Sequence, residues 1–337
     1  MRKKWIPFVL FFGAILIGLT ACGEKSEEDV SKKLQSTVKE LEGYKAKANM
    51  KMNTGEKTQS YKLDVWYKDK DYYKVSLQNP DDEKGNQVIL KNKDGVFVLT
   101  PALNKNFKFQ ADWPETSSQP YLFQSLVKDI MKDEDKSFES TGDHYIYETK
   151  TNYQSNNNLP KQEIQFSKKD YTPERVKVKD KDKDTVVEVE FTDFTLDPSF
   201  KKDDFEMKQK KNSKSASATP KKSEVKPLSI TLPKETAGAK LKEKKEMKTD
   251  HGERAILTYE GKRNFTIIEE KDTSVPTLNQ PKEVKGEIVN LGSTIGAIDG
   301  NTVQWSEHGV EYKLASEELT KEELIDVAKS MHQKATK

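Results

Sequence analysis

Residues 44–52 read YKAKANMKM. In this stretch an apolar or aromatic side chain alternates with a polar one, which is the period of a β-strand with one buried face. The alternation returns at residues 61–67 and 73–77, and turn signals such as Asp94-Gly95 interrupt the later segments. The pattern predicts an antiparallel meander with one lysine-rich face in water and one aromatic and aliphatic face buried.

Further segments with strand character follow, and two amphipathic helices accompany them. Residues 27–42 have a helical period behind the cap residue Ser26, and Gly43 is a plausible stop. A second helix is predicted at about residues 120–132, where Pro120 precedes a broad apolar face. The other predicted strands are 87–90, 96–100, 107–110, 145–149, 163–166, 175–178 and 186–191. About ten strands and two helices predict an α+β domain built on one large curved sheet.

A change in composition separates this domain from a smaller one. Residues 208–227 are rich in Lys, Ser, Ala, Thr and Pro and nearly lack large apolar side chains, which is typical of a solvated linker. Contact of this basic tract with anionic lipid or wall polymer is the alternative. Residues 228–337 then predict a small α+β domain, with strands at 255–259, 265–269, 287–291, 302–305 and 310–314 and a terminal helix behind the capping box Thr320 and Glu323. We expect the domains 26–207 and 228–337 to fold independently.

The first 25 residues predict a secretory leader followed by a tether. Arg2, Lys3 and Lys4 precede an apolar run that is too short to cross a bilayer comfortably, so residues 1–21 are interpreted as a signal peptide. The run ends in Leu-Thr-Ala followed by Cys22, which resembles the bacterial lipobox. The sole cysteine of the chain stands at that position. We therefore expect Cys22 to be the lipidated first residue of the mature protein, residues 22–25 to be the tether, and the outer face of the cell membrane to be its location.

Composition restricts the class of function. Charged residues make up 34% and hydrophobic residues 33%, so the core has to come from well-patterned elements. The chain has 58 Lys and Arg; without the three in the leader, 55 remain against 56 acids. This balance gives no general attraction to nucleic acid, so we expect no nucleic-acid partner.

Motifs for catalysis or metal binding are not evident in the sequence. The four histidines are far apart and none has metal-ligand spacing. Gly292, Gly296 and Gly300 follow a predicted strand without a phosphate-binding Gly-Lys-Ser/Thr, so tight turns explain them better. We expect no catalytic residue, no metal and no cofactor, and we interpret the protein as a non-enzyme.

Aromatic residues are the most informative set. They occur at positions of both parities, as with Trp66 beside Tyr67, which a sheet with one buried face does not require. An ordinary core is the simpler interpretation, whereas an open half-barrel with a lined cavity would use both faces. On the second interpretation, the hydrophobic cavity would lie between the sheet and the helix at 120–132. Its candidate lining is Trp66, Tyr67, Tyr73, Phe97, Phe107, Phe123, Leu126, Val127, Ile130 and Met131.

The order of these elements resembles the lipoprotein-carrier (LolA-like) superfamily over about residues 26–207. The residues that carry the resemblance are Leu34 and Leu41 in the first helix, Trp66-Tyr67-Lys68, Tyr73-Lys74-Val75, and Asp94-Gly95 to Thr100-Pro101. The C-terminal pattern of Trp305, Tyr312-Lys313-Leu314 and residues 319–330 is similar to an uncharacterised domain of Gram-positive envelope proteins. Together they resemble sporulation-associated lipoproteins of the YdcC type. The resemblance implies an incomplete antiparallel barrel around helices, with a hydrophobic cavity.

Two functions are consistent with this resemblance. The first is a membrane-anchored lipoprotein that shelters an acyl chain or an apolar peptide in its half-barrel. The second is a regulatory or sensor lipoprotein that contacts a membrane protein partner, since two-domain relatives include regulators that restrain an anti-sigma factor. Carrier proteins of this superfamily are soluble shuttles, whereas Cys22 would tie this chain to a membrane.

Overall fold

The computed structural model describes residues 25–53, 58–101, 105–110, 118–153, 159–207, 227–250, 252–272 and 281–331. In the first part of the chain the described helices are α1 (Glu27–Glu40) and α2 (Phe123–Lys132). The strands there are β1 (Gly43–Asn53), β2 (Thr58–Lys68), β3 (Tyr72–Gln78), β4 (Gln87–Asn92), β5 (Gly95–Thr100), β6 (Lys105–Phe109), β7 (Ser137–Thr141), β8 (His144–Lys150), β9 (Lys161–Ser167), β10 (Pro173–Lys179) and β11 (Thr185–Leu196).

These strands form one antiparallel sheet in the order β6-β5-β4-β3-β2-β1-β11-β10-β9-β8-β7. The predicted alternation in residues 44–52 is confirmed, because Tyr44, Ala46, Ala48, Met50 and Met52 are all buried. The long strand β1 lies near the middle of the sheet, where it pairs β2 on one side and β11 on the other. The two outermost strands are not paired with each other, so the sheet is an incomplete barrel and the predicted α+β class is confirmed.

Both helices pack on the inner face of this sheet. α1 begins at the cap Ser26, whose Oγ accepts the backbone N–H of Asp29, and it buries Val30 and Leu34. α2 inserts Phe123 among aromatic rings, with its ring centroid 5.7 Å from that of Phe194 on β11. The helices therefore fill the space inside the half-barrel with side chains of their own.

The outer face carries a second, smaller aromatic cluster. Trp66 on β2 and Phe97 on β5 point to this face, and the segment that follows β11 folds back over them with Phe200 and Phe205. The ammonium groups of Lys45 and Lys74 lie 4.3 and 4.4 Å from the Trp66 ring centroid. Because this segment covers the outer face, aromatic residues can be buried on both faces of the sheet, which explains why they occur at both odd and even positions. The inference that Trp66 and Phe97 line an inner cavity is corrected.

The C-terminal part contributes a second sheet and one helix. Its described strands are β12 (Ala239–Thr249), β13 (Gly252–Gly261), β14 (Phe265–Asp272), β15 (Lys282–Val284), β16 (Glu287–Asn290), β17 (Ile295–Asp299), β18 (Thr302–Glu307) and β19 (Val310–Ala315), followed by α3 (Lys321–Lys329). The sheet order is β12-β13-β14-β19-β18-β17-β16. The capping box predicted for α3 is confirmed, since Thr320 and Glu323 exchange both hydrogen bonds.

The three glycines for which tight turns were predicted differ in conformation. Gly292 and Gly300 lie at turns and have positive φ angles. Gly296 lies inside β17, so the tight turn predicted there is wrong.

The two domains share a sheet and a hydrophobic core, whereas two domains joined only by a solvated linker would have few contacts. β15 is not part of the second sheet; it pairs in parallel with β6 and extends the large sheet to twelve strands. Ile288, Ile295 and Ala297 belong to the hydrophobic core of the first domain. The second domain therefore completes a sheet edge and a core of the first, and independent folding of the two domains stays a prediction.

Polar contacts reinforce this junction. Gln87 Nε2 donates to the carbonyl of Ser306 over 3.1 Å, and His308 Nδ1 lies 2.8 Å from Asp82 Oδ2. Burial lowers the pKa of His308, but the hydrogen bond to Asp82 and the charge of Glu307 outweigh it, so the net shift is upward. The junction therefore favours a charged His308 beside Asp82.

Candidate functional site

An apolar cavity of about 270 Å³ lies where the two domains meet. Its walls come from the inner end of the half-barrel, from the turn between β16 and β17, and from the last turn of α3. The apolar lining residues are Met50, Met52, Pro120, Tyr153, Leu159, Val186, Val187, Leu291 and Gly292. The polar ones are Asn53, Asp180, Lys234, Glu235, Asn290, Asp326, Lys329 and Ser330.

Local rules explain why these elements meet here. Met50 and Met52 are the last buried residues of β1, on the same face of the sheet as Tyr44 and Ala46. Gly292 has φ +91°, and a Cβ atom at this position would lie 2.8 Å from Met52 Cε. The positive φ angle favours glycine at this turn, which packs against the end of the Met52 side chain. This turn therefore forms one wall of the cavity.

A polar network holds the second domain against this end of the sheet. Asn290 Nδ2 donates to Gln119 Oε1 over 2.9 Å, and Asn290 Oδ1 accepts the N–H of Gly292. Next to Gln119, the Ser118 hydroxyl donates to the buried Asp129 carboxylate of α2 over 2.6 Å. The cavity wall is thus tied through α2 to the core of the first domain.

The last turn of α3 places charge beside apolar walls. The ammonium group of Lys329 lies 5.0 Å from the centroid of the Tyr153 ring. Burial lowers the pKa of Lys329 to about 8, and the charge of Asp326 acts in the opposite direction. The backbone N–H groups of Lys234 and Glu235 donate to Ser330 Oγ, which fixes the end of the helix. The site therefore combines a hydrocarbon wall with a positioned cation.

The residues predicted to line a cavity lie elsewhere. Most of them are packed together in the core of the first domain: Tyr67, Tyr73, Phe107, Phe123, Leu126, Val127 and Ile130. Trp66 and Phe97 lie in the outer-face cluster, and Met131 is 40% exposed. None of the ten lines the cavity between the domains, although Phe107 borders a smaller cleft beside β15 and Phe97 a polar groove on the outer face. Cys22 lies outside the described residues.

Sequence reasoning missed the observed lining for identifiable reasons. Met50 and Met52 were assigned correctly to the buried face of β1, but periodicity does not show whether a buried side chain meets another or borders a void. Lys329 lies in the last turn of a helix with a clear apolar stripe, and it was not among the predicted site residues. The sequence signal that could have indicated Lys329 is a lysine next to the apolar stripe of a capped helix.

Across the described ranges, no group of three or more His, Cys, Asp or Glu side chains is arranged to hold a metal ion. Among the same residues, no helix is long and apolar enough to span a membrane.

Comparison with known proteins gives both sequence and structural matches. The family model described as sporulation protein YdcC-like matches residues 2–205. The curated sporulation protein YdcC of Bacillus subtilis (strain 168) is 44% identical over 343 residues, covering 100% of this chain and 99% of that protein.

The solved structures that match this chain share little sequence with it. MucB in complex with MucA(peri) is 11% identical over 92% of this chain and 100% of that chain, with a TM-score of 0.34. The LolA superfamily protein NE2245 from Nitrosomonas europaea is 11% identical over 52% of this chain and 96% of that chain, with a TM-score of 0.30. A structure of the CwlD amidase from Clostridioides difficile in complex with the GerS lipoprotein matches at 18% identity over 53% of this chain and 98% of that chain, with a TM-score of 0.23.

Proposed function

The chain belongs to the sporulation protein YdcC-like family, and from this premise we propose that it is a lipid-anchored extracytoplasmic binding protein. Its ligand is hydrophobic, and it lies in the cavity between the half-barrel and the second domain. The biological setting is spore formation or the cell envelope of a spore-forming bacterium. The protein binds its ligand and does not transform it.

The single observation that carries this proposal is the apolar cavity of about 270 Å³. Ligand sites are usually concave and mostly apolar, with a few polar groups that fix orientation. Hydrocarbon can enter such a space without breaking hydrogen bonds, and its transfer from water is favourable. Met50 and Met52 add flexible thioether side chains to the wall, and methionine adapts to ligands of different shape.

Filling the cavity is expected to weaken binding of an apolar probe. Val186 is half-buried on β11 and lines the cavity, so Val186→Trp places an indole in the ligand space at a tolerable cost in stability. We expect the affinity for the neutral fluorescent probe N-phenyl-1-naphthylamine to fall by about tenfold or more, equivalent to about 1.4 kcal/mol. A fluorescence titration of the full chain measures it.

The matched control is Thr185→Trp, on the exposed neighbour in the same strand, which does not line the cavity. This variant is expected to bind the probe as the unmodified protein does. If the unmodified protein fails to bind the probe at micromolar concentration, the proposal is wrong. The regulatory alternative, a scaffold for a membrane protein partner, would then be the better interpretation.

The anchor makes a separate prediction. Each buried methylene of an acyl chain contributes about 0.8 kcal/mol to membrane binding, so two or more chains on Cys22 would hold the protein durably. We expect the Cys22→Ser variant to lose all incorporation of a clickable fatty acid in growing cells, whereas Gly23→Ala, which keeps the cysteine, incorporates it normally. Acyl label on the Cys22→Ser variant would show that the anchor is elsewhere.

A further inference from the structure

Lys329 is an unusual residue for an apolar cavity. It lines the space between the domains from the last turn of α3, where the helix dipole favours a cation. Its ammonium lies 5.0 Å from the centroid of the Tyr153 ring, but within the described residues no carboxylate lies at ion-pair distance from it. Within the described residues this charge therefore has a cation–π contact in place of an ion pair.

A partly buried cation without a carboxylate is energetically costly. The cost is visible in the pKa of Lys329, which burial lowers to about 8 in spite of the charge of Asp326 three residues earlier. An anion that entered the cavity with its own apolar chain would offset this cost, because the pair would form in surroundings of low dielectric constant. The site is thus complementary to negative charge at the point where Lys329 meets hydrocarbon.

The other charged groups that line the cavity are engaged or exposed. The Asp180 carboxylate accepts the backbone N–H groups of Asp182 and Asp184, at 3.0 and 2.9 Å, within its own hairpin turn. The side chains of Lys234 and Glu235 belong to exposed residues. Asp326, on the same helix as Lys329, is partly buried and helps to keep the ammonium protonated.

We propose that the cavity takes a single-chain anionic amphiphile, whose carboxylate or phosphate pairs with Lys329 while its acyl chain lies along Met50, Met52 and Leu291. This inference rests on the proposed function and names the chemical class of its ligand. The volume of about 270 Å³ is near the lower end of the roughly 300–1,000 Å³ typical of small-molecule sites. A space of that size suits one acyl chain better than the two chains of a membrane phospholipid.

Displacement of N-phenyl-1-naphthylamine from the full chain tests this charge preference. The competitors are decanoate, decyl phosphate, decanol and decyltrimethylammonium, which share a ten-carbon chain and differ in head group. We expect at least one of the two anions to displace the probe at a concentration about tenfold or more below that of decanol, since a hydrogen bond between charged groups is worth about this factor. The cationic competitor is expected to be the weakest. The better of the two anions identifies the head group as carboxylate or phosphate.

Lys329→Met keeps the aliphatic length of the side chain and removes the charge. In this variant we expect the advantage of the anions over decanol to disappear, with each competitor compared with decanol on the same variant. Lys240→Met, at an exposed lysine outside the cavity, is the matched control and keeps the anion preference.

The failures of the two proposals are distinguishable. If the probe binds but the anions compete no better than decanol, the anionic ligand class is wrong. If their advantage survives in Lys329→Met, the pairing of the head group with Lys329 is wrong. In both cases the hydrophobic binding function stands. If the probe does not bind at all, both proposals are wrong.

Discussion

Phe123→Ala is expected to lower the free energy of unfolding by about 3–5 kcal/mol, the usual cost of truncating a fully buried phenylalanine. Phe123 is the first residue of α2 and is completely buried. Its ring centroid lies 6.4, 6.2 and 5.7 Å from those of Tyr44, Phe166 and Phe194. Because these rings come from three different strands, the cavity left by the truncation cannot collapse without moving the sheet, and most of the cost remains.

Urea denaturation of the full chain measures the loss. Met131→Ala is the matched control on the same helix, since Met131 is 40% exposed and its truncation should change stability by about 0.5 kcal/mol or less. Binding of N-phenyl-1-naphthylamine to Phe123→Ala should be unchanged under conditions where the variant is folded. A loss below about 1 kcal/mol together with altered probe affinity would contradict this picture and support the ligand-lining role that the sequence predicted.

The difference between a core and a cavity was beyond the reach of sequence periodicity. The apolar face of α2 was predicted correctly, and Phe123, Leu126, Val127 and Ile130 are buried. A hydrophobic stripe shows that a face must be covered, but the volume left after covering depends on side chains from distant strands. Here the rings of the sheet fill the space around α2, and the free volume lies at the junction with the second domain.

Elements with local signals were predicted well. α1 and α3 have side-chain caps and an apolar stripe. α1 is predicted at residues 27–42 and observed at Glu27–Glu40, and the capping box predicted for α3 is present. β12 was missed because it is an edge strand with charged residues on both faces, reading KLKEKKEMK over residues 240–248, so it has no alternation to detect. β15 was missed because three residues that join a distant strand in parallel leave no periodic signal.

The largest pH effect is expected from Glu269 on β14. This residue is fully buried, and the backbone N–H of Thr231 donates to its carboxylate, 3.1 Å from each oxygen. Within the described ranges no cation forms an ion pair with it. Burial raises the pKa of Glu269 to about 8, and the hydrogen bond from Thr231 opposes the shift without cancelling it. The folded protein therefore holds a proton that the unfolded chain releases near pH 4.5.

The sign of the effect follows from this difference in bound protons. Below pH 4.5 both states are protonated and Glu269 has no influence on the pH dependence. Between pH 4.5 and about 8 the folded state binds more protons than the unfolded state, so stability falls by up to about 1.4 kcal/mol per pH unit from this group. Above pH 8 both states are ionised and the loss is complete.

Glu269→Gln should remove this slope, because the amide stays neutral at every pH and its oxygen can still accept from Thr231. Its NH₂ group adds a cost of about 1–3 kcal/mol if it finds no acceptor, but that cost does not vary with pH. Urea denaturation at pH 5, 7 and 9 is therefore expected to show the variant gaining several kcal/mol relative to the unmodified protein as pH rises. The matched control is Glu270→Gln at the next position, where the carboxylate pairs with Arg254 and is partly exposed. That variant should lose a little stability, to a similar extent at pH 7 and 9. If the stability of Glu269→Gln has the same pH slope as that of the unmodified protein, Glu269 is ionised in the folded state at neutral pH and the prediction is wrong.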